Sequence, residues 1–491
     1  MQLHALVALL TLIGAANAND RHVRLAKKAF NVARAPPSSG STITSATSTS
    51  SISSSSSGSS STSAGASTTT SAVASGSPIG TSIPPLSQIT SGMPSQSTLP
   101  PTKTYSAGAT PPISGVPPLP TPFVYRATDW PPQDQIAPTG VFPPSAIYTN
   151  SHALFALLRS GSAEVAEWMK ELDGFNIPDF SPTADGTCVG DPVAAADAAD
   201  RGWWTCGGYT RVTDITACPD KLTWGVSFDD GPGFYSKQLL NFLTSQNITS
   251  TFFVVGSRVI ERPQVLIEEY MAGHEIAVHT WSHRPLTMLT TEQVVAELGW
   301  TRKAIKAVLG VTPTLMRPPY GDIDDRVRAI SLAMGMVPVI WTRTPSGATF
   351  DTNDWKVPGG VVTGSQSFAT FQAILTNATL LNTGFIVLEH DLYSQTVDLA
   401  IGYTLPAAMS FNPHLTMDSI GECNHIPATN LYRESNKNTS FPYPNSTSSD
   451  SSVSGGSGGH SSSGDISMNI DRIPMSIAVV AGFAALSSLL L

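Results

Sequence analysis

Between about residues 147 and 435 the chain alternates short apolar runs with longer amphipathic stretches. Leu222–Phe228, Thr251–Val255, Glu275–Val278, Thr314–Met316, Met336–Trp341 and Phe385–Glu389 have strand length and are mostly apolar. Thr290–Leu309 reads as a helix: Val294, Leu298, Ile305 and Val308 recur on one face, and Thr290 and Gln293 stand at capping-box spacing. Repeated strand–helix units predict a parallel sheet, open or closed into a barrel. Residues able to do chemistry gather just after the strand runs, at one end of the sheet, which favours the barrel. Fewer than eight strands are clear, so the expected fold is an α/β, irregular or incomplete (β/α) barrel.

Outside this block the periodicity vanishes. Residues 38–78 are nearly all Ser, Thr, Gly and Ala, and 79–146 add many prolines. Such composition buries too little apolar surface to offset its ordering entropy. Residues 19–146 are therefore expected to form a disordered, O-glycosylated stalk, and 436–465 a Ser/Gly-rich linker. The early basic stretch (Arg21, Arg24, Lys27, Lys28, Arg34) reads as a solvated or processed segment with no nucleic-acid role. Residues 1–18 have a short apolar stretch ending Ala16-Asn17-Ala18, the form of a secretory signal.

At the other end Met475–Leu491 is apolar and uncharged, behind a spacer and the small residues Ser461-Ser462-Ser463-Gly464. That order predicts glycosylphosphatidylinositol attachment at Ser463, with 466–491 removed; a tail-anchored helix is the alternative. The protein is then expected outside the cell, lipid-tethered at the membrane and wall.

Of the 491 residues only 13% are charged, with net charge -9, and the tails account for much of that dilution. In an oxidising compartment the four cysteines Cys188, Cys206, Cys218 and Cys423 are disulfide candidates. Three connectivities are open. Cys188–Cys206 and Cys218–Cys423 are expected, because the first two are close in sequence and the others bracket the strand-bearing region. Sequons at Asn247, Asn377, Asn438 and Asn445 suit the same compartment.

The densest chemistry is Val-Ser-Phe-Asp-Asp-Gly-Pro (226–232), where a strand run ends in Asp229 and Asp230. Successive side chains of an extended strand point opposite ways, so the two carboxylates are expected to take different tasks, one as metal ligand and one as base. His279-Thr-Trp-Ser-His283 spaces two imidazoles four apart, on one face if that turn is helical. With one carboxylate they form a two-His, one-carboxylate set that leaves positions for water and substrate. Polar clusters end two later runs as well, Arg317-Pro-Pro-Tyr-Gly-Asp322 and Val387-Leu-Glu-His-Asp391, and the segment Asp351-Thr-Asn-Asp354-Trp355 lies between them.

In order, these five segments resemble the motif series of the NodB-homology polysaccharide deacetylases, carbohydrate esterase family 4, and within it the fungal chitin deacetylases. The resemblance spans about residues 205–410; Ser227 stands where Thr is usual. It implies one divalent ion, zinc or cobalt, on Asp230, His279 and His283. It also implies Asp229 as general base, paired with Arg317, and His390 as general acid, with Asp354 orienting either His390 or Arg317. Trp355 and Leu388 would wall the acetyl pocket, and the Tyr320 backbone N–H would meet the oxyanion. The implied reaction is hydrolysis of N-acetyl groups of chitin or chito-oligosaccharides. O-deacetylation of acetylxylan or another wall glycan is the nearest alternative. A non-catalytic wall mannoprotein is the third, disfavoured by intact motifs.

Overall fold

The computed structural model describes residues 83–93, 99–131, 162–344 and 346–438. The expected strands are present but shorter than their apolar runs. The first run is broken at Val226 into β1 (Thr223–Gly225) and β2 (Ser227–Asp229). β3 (Thr251–Val254) and β4 (Glu275–Val278) follow closely the expected bounds. β5 (Leu315–Met316), β6 (Val337–Pro338) and β7 (Phe385–Ile386) keep only two residues each. A further strand, β8 (Thr416–Asp418), had no counterpart in the reading of the sequence.

Every pairing between these strands is parallel. One sheet runs β2-β3-β4-β5-β6 and the other β7-β1-β8. The break at Val226 is where the first run changes partners: its N–H donates to Asp418 O at 2.8 Å and its carbonyl accepts from Thr251 N at 2.9 Å. Beyond β6 the ring is carried on by single contacts. Thr342 N donates to Ile386 O at 3.0 Å, Leu388 N donates to Phe350 O at 2.9 Å, and Asp229 bridges His390. This is an irregular barrel whose strands, β8 apart, are buried on both faces almost throughout, as parallel strands with helical crossovers require.

The helices outside the ring include α1 (Ala163–Met169), α2 (Ser236–Gln246), α3 (Gly256–Glu261), α4 (Pro263–Met271), α5 (Thr291–Leu309), α6 (Asp325–Ala333), α7 (Gly364–Ala378) and α8 (Ser394–Leu399). In α5 both halves of the Thr290–Gln293 capping box form, and Gly310 ends the helix at φ 81°. Val294, Leu298, Ile305 and Val308 of its expected face are all buried. Both expected disulfides form, Cys188–Cys206 and Cys218–Cys423.

The stalk expectation for 19–146 fails where the chain is described. Residues 83–93 and 99–131 lie against the barrel as a strap. Gly364 N donates to Ile89 O at 2.9 Å, Tyr403 Oη to Pro84 O at 2.7 Å, and Lys103 N to Glu268 Oε1 at 2.8 Å. Ile89, Val116, Leu119 and Trp130 are buried. The prolines pre-set an extended backbone, and these widely spaced apolar anchors give it surface to bury. Residues 19–82 and 132–146 lie outside the described residues, as do the signal segment, most of the 436–465 linker, Asn445, Ser463 and the apolar tail. Among the described residues no helix is long and apolar enough to cross a membrane.

Candidate active site

Four strand ends and two loops assemble the site. β2 ends at Asp229, which is buried and extended; Asp230 turns out of the strand at φ 80°. That left-handed turn changes the expected geometry. The two carboxylates do not diverge to opposite faces: both lie near the same imidazole, His279 Nε2 being 3.4 Å from Asp230 Oδ1 and 3.9 Å from Asp229 Oδ2. Arg258, just after β3, donates from Nη1 to the Asp230 carbonyl at 2.7 Å.

His279 follows β4 directly, and the segment to His283 is a tight turn, not the helical turn that four-residue spacing suggested. Thr280 (φ 65°) and His283 (φ 55°) both sit in the left-handed region. Glu297 of α5 holds this turn, accepting from Trp281 N and Ser282 N at 2.8 Å each, and from the Ser282 hydroxyl. The turn nevertheless brings His283 Nε2 to 3.1 Å from Asp230 Oδ1. The three expected ligand atoms lie within 4.8 Å of one another.

Those residues fit a divalent ion on several counts. His279 Nδ1 donates to the Arg317 carbonyl at 2.8 Å, which leaves the Nε2 lone pair facing Asp230. His283 Nδ1 is likewise engaged, with Tyr320 Oη at 3.2 Å. Asp230 Oδ1 is buried yet accepts no hydrogen bond among the described residues. Burial works to raise its carboxyl, but the neighbouring imidazoles, His283 foremost, hold it well below the usual carboxylate range. Burial pushes the His283 imidazole down, against the pull of Asp230. A carboxylate and two imidazoles around one point form a donor set suited to zinc or cobalt.

Arg317, expected to pair with Asp229, does so from a fully buried position. Its Nη1 donates to Asp229 Oδ1 at 2.6 Å and to Ser227 Oγ at 3.1 Å. The departure at Ser227 therefore touches the residue that holds the base, although not the metal ligands. The guanidinium also lies 4.0 Å from the centroid of the Phe253 ring, whose π face partly compensates its burial.

Of the two roles left open for Asp354, the structure selects His390. The His390 N–H donates to Asp354 Oδ2, and its Nδ1 lies on Oδ1, each at 2.8 Å. Burial would lower the His390 pKa. The Asp354 carboxylate, by charge and hydrogen bond, with Asp230 and Asp229 beyond it, instead pushes it up to about 10. Asp229 and His390 are paired across neighbouring strand ends.

Around this core, Trp355 is 45% exposed with the Lys356 ammonium 4.7 Å from its ring centre, and the Trp355 backbone N–H donates to Asp354 Oδ1 at 2.7 Å. Leu388 is buried and bridges Asp351. Tyr320 takes φ 62° and is 41% exposed. Asp322, at the end of the Arg317 motif, does structural work. It accepts from Trp203 Nε1 and Thr205 Oγ1 at 2.7 Å and from Thr287 N at 2.9 Å, tying the Cys188–Cys206 loop to the segment after His283. Asn247 and Asn438 lie in exposed or half-buried positions, and Asn377 is half-buried in the last turn of α7.

The sequence pattern gave no role to Arg258, Glu297 or Asp391. Arg258 lies in α3, just beyond the strand run that ends at Val255, and no acid or imidazole marks the place. Glu297 is a charge on the buried side of α5, an anomaly visible in the helix pattern. Burial, with Asp230 and Asp229 nearby, pushes the Asp391 carboxyl up to about 7, and Ser236 donates to it.

Comparison with known proteins gives the following. Residues 216–339 match the family model described as polysaccharide deacetylase. The chain is 48% identical over 368 residues to chitin deacetylase 1 of Cryptococcus neoformans var. grubii, covering 74% of this chain and 73% of that protein. It is 34% identical over 291 residues to a chitin deacetylase of Amylomyces rouxii, covering 57% of this chain and 63% of that one. Against the solved chitin deacetylase of Colletotrichum lindemuthianum the identity is 23% and the TM-score 0.41, covering 45% of this chain and 96% of that one.

Proposed function

This chain belongs to the polysaccharide deacetylase family, and from that membership we propose that it hydrolyses the N-acetyl groups of chitin, releasing acetate and leaving glucosamine units in the chain. The substrate follows the names of the relatives it resembles over most of its length. The observation that carries the proposal is the gathering of two held groups beside one ligand cluster. Asp229 is held by Arg317 and His390 by Asp354, and both stand next to Asp230, His279 and His283.

When bound there, a zinc or cobalt ion would polarise the acetyl carbonyl and make water a stronger acid. Asp229 then takes a proton from the attacking water as its oxygen bonds to the carbonyl carbon. The Tyr320 N–H meets the charge that develops on the carbonyl oxygen. As the C–N bond breaks, His390 gives its proton to the departing nitrogen, with Asp354 fixing the ring throughout. Trp355 and Leu388 wall the acetyl group. No covalent enzyme intermediate is required.

The setting we propose is the wall. The apolar leader, the sequons and the small-residue cluster before an apolar tail support secretion and a glycosylphosphatidylinositol tether near Ser463. Acetate release from chitin oligomers, set beside release from acetylated xylan, tests the substrate. The proposal expects the first to be far faster, and a preference for xylan overturns it.

A further inference from the structure

His279 and His283 bracket Trp281, a residue with no part in the proposed reaction. Its side chain is fully buried, and its ring stacks on that of Trp130, with centroids 6.2 Å apart and planes inclined by 5°. Trp300 of α5 meets both rings edge-on at 6.4 Å. Phe123 lies 5.9 Å from Trp130, and the Lys303 ammonium stands 5.4 Å from the Trp130 centroid. Trp130 and Phe123 belong to the strap, well ahead of the segment that matches the family.

We infer that Trp130 is a positioning residue for the metal site, acting through Trp281 on the turn that carries both imidazoles. Thr280 and His283 hold left-handed conformations that residues with side chains keep only where their surroundings impose them. On the inner side, Glu297 fixes the Trp281 and Ser282 amides, and Gly256 N donates to Thr280 O at 2.9 Å. A Cβ at Gly256 would come within 2.7 Å of the Trp281 ring, so the ring has no room to retreat that way. The strap supplies the stacked plane that confines it from another side. Freed of Trp130, the indole can tilt, and the peptide units on either side of it carry His279 and His283 away from Asp230. Outer groups that orient metal ligands commonly set affinity in this manner.

The inference rests on the reading that Asp230, His279 and His283 hold a divalent ion, and the experiment separates the two. Zinc is titrated calorimetrically into metal-free full-length wild type, Trp130→Ala, Trp130→Leu and Val116→Ala. Val116 is buried in the same strap and has no part in the tryptophan cluster. Wild type and Val116→Ala should bind alike, and Trp130→Ala roughly tenfold more weakly, at the lower end of outer-shell effects. Should Trp130→Ala fail to fold, Trp130→Leu, which keeps apolar bulk without the stacking plane, carries the same expectation. Wild-type affinity in the folded Trp130 variants, or an equal loss in Val116→Ala, overturns the inference alone. A wild type that takes up no zinc overturns the metal reading and the inference with it.

Discussion

His390 is bound to Asp354 twice, through its backbone N–H and through Nδ1, at 2.8 Å each. One carboxylate thus sets both the position of the strand end and the plane and charge of the ring. Asp354→Asn removes the charge and keeps most of the volume. We expect metal content to be unchanged and acetate release to fall by about 10²-fold, the low end for a general acid. The basic limb of the rate–pH profile should move to lower pH, because the carboxylate favouring the imidazolium is gone. An unmoved limb would contradict the assignment of His390 as the acid.

Glu389, beside this acid, is buried, and burial together with the Asp354 charge pushes its carboxyl from the ordinary 4.5 up to about 8. Folded Glu389 keeps a proton that the unfolded chain releases across that window. Stability should therefore fall as pH rises from 4.5 to about 8. Asp391, raised from 3.8 to about 7, works in the same direction. The thermal midpoint of metal-free Glu389→Gln should drop less over this range than that of wild type. Equal slopes would mean that the carboxyl ionises without penalty.

Cys218 and Cys423 lie 205 residues apart, and Cys188 and Cys206 only 18. In the chain-entropy model closing the long loop stabilises by about 5 kcal/mol and the short one by about 3 kcal/mol. Denaturant unfolding should show Cys218→Ser/Cys423→Ser losing more than Cys188→Ser/Cys206→Ser. The reverse order would indicate that local packing of the short loop outweighs the topological constraint.

The proposed tether has its own test. Truncation before Ser461 should send active enzyme into the medium, since every motif ends by His390. A phospholipase specific for the anchor should release the full-length form. A form that stays in the membrane and retains residues 475–491 by mass spectrometry would make the tail a transmembrane helix instead.

The barrel was legible because parallel strands buried on both faces read as unbroken apolar runs, and because α5 carries a complete cap and a clean apolar face. β8 was not: Thr416–Asp418 has one apolar residue and is only partly buried, so neither length nor period marks it. The strap was misread because Pro and Gly mask its anchors. Ile89, Val116, Leu119, Phe123 and Trp130 are too widely spaced to show a period, and only the docked surface reveals what they bury. In the site, residue types and motif order located the ligand set and the Asp229–Arg317 and His390–Asp354 pairs, but not Arg258, Glu297 or Asp391. Backbone conformation was hidden. The left-handed turns at Asp230, Thr280 and His283 depend on Arg258, Gly256 and Glu297, whose partners are distant in sequence.

The proposed reaction turns on the division of labour between Asp229 and Asp230. The direct measurement is bound zinc together with acetate release from a chitin oligomer, on wild type, Asp229→Asn and Asp230→Ala. Asp229→Asn should keep its zinc while losing about 10²-fold or more of its turnover, as removal of a general base does. Asp230→Ala should lose both, since its Oδ1 is the carboxylate atom nearest both imidazoles. If Asp229→Asn shed the zinc, or turned over chitin at nearly the wild-type rate, the assignment of base and ligand would be wrong.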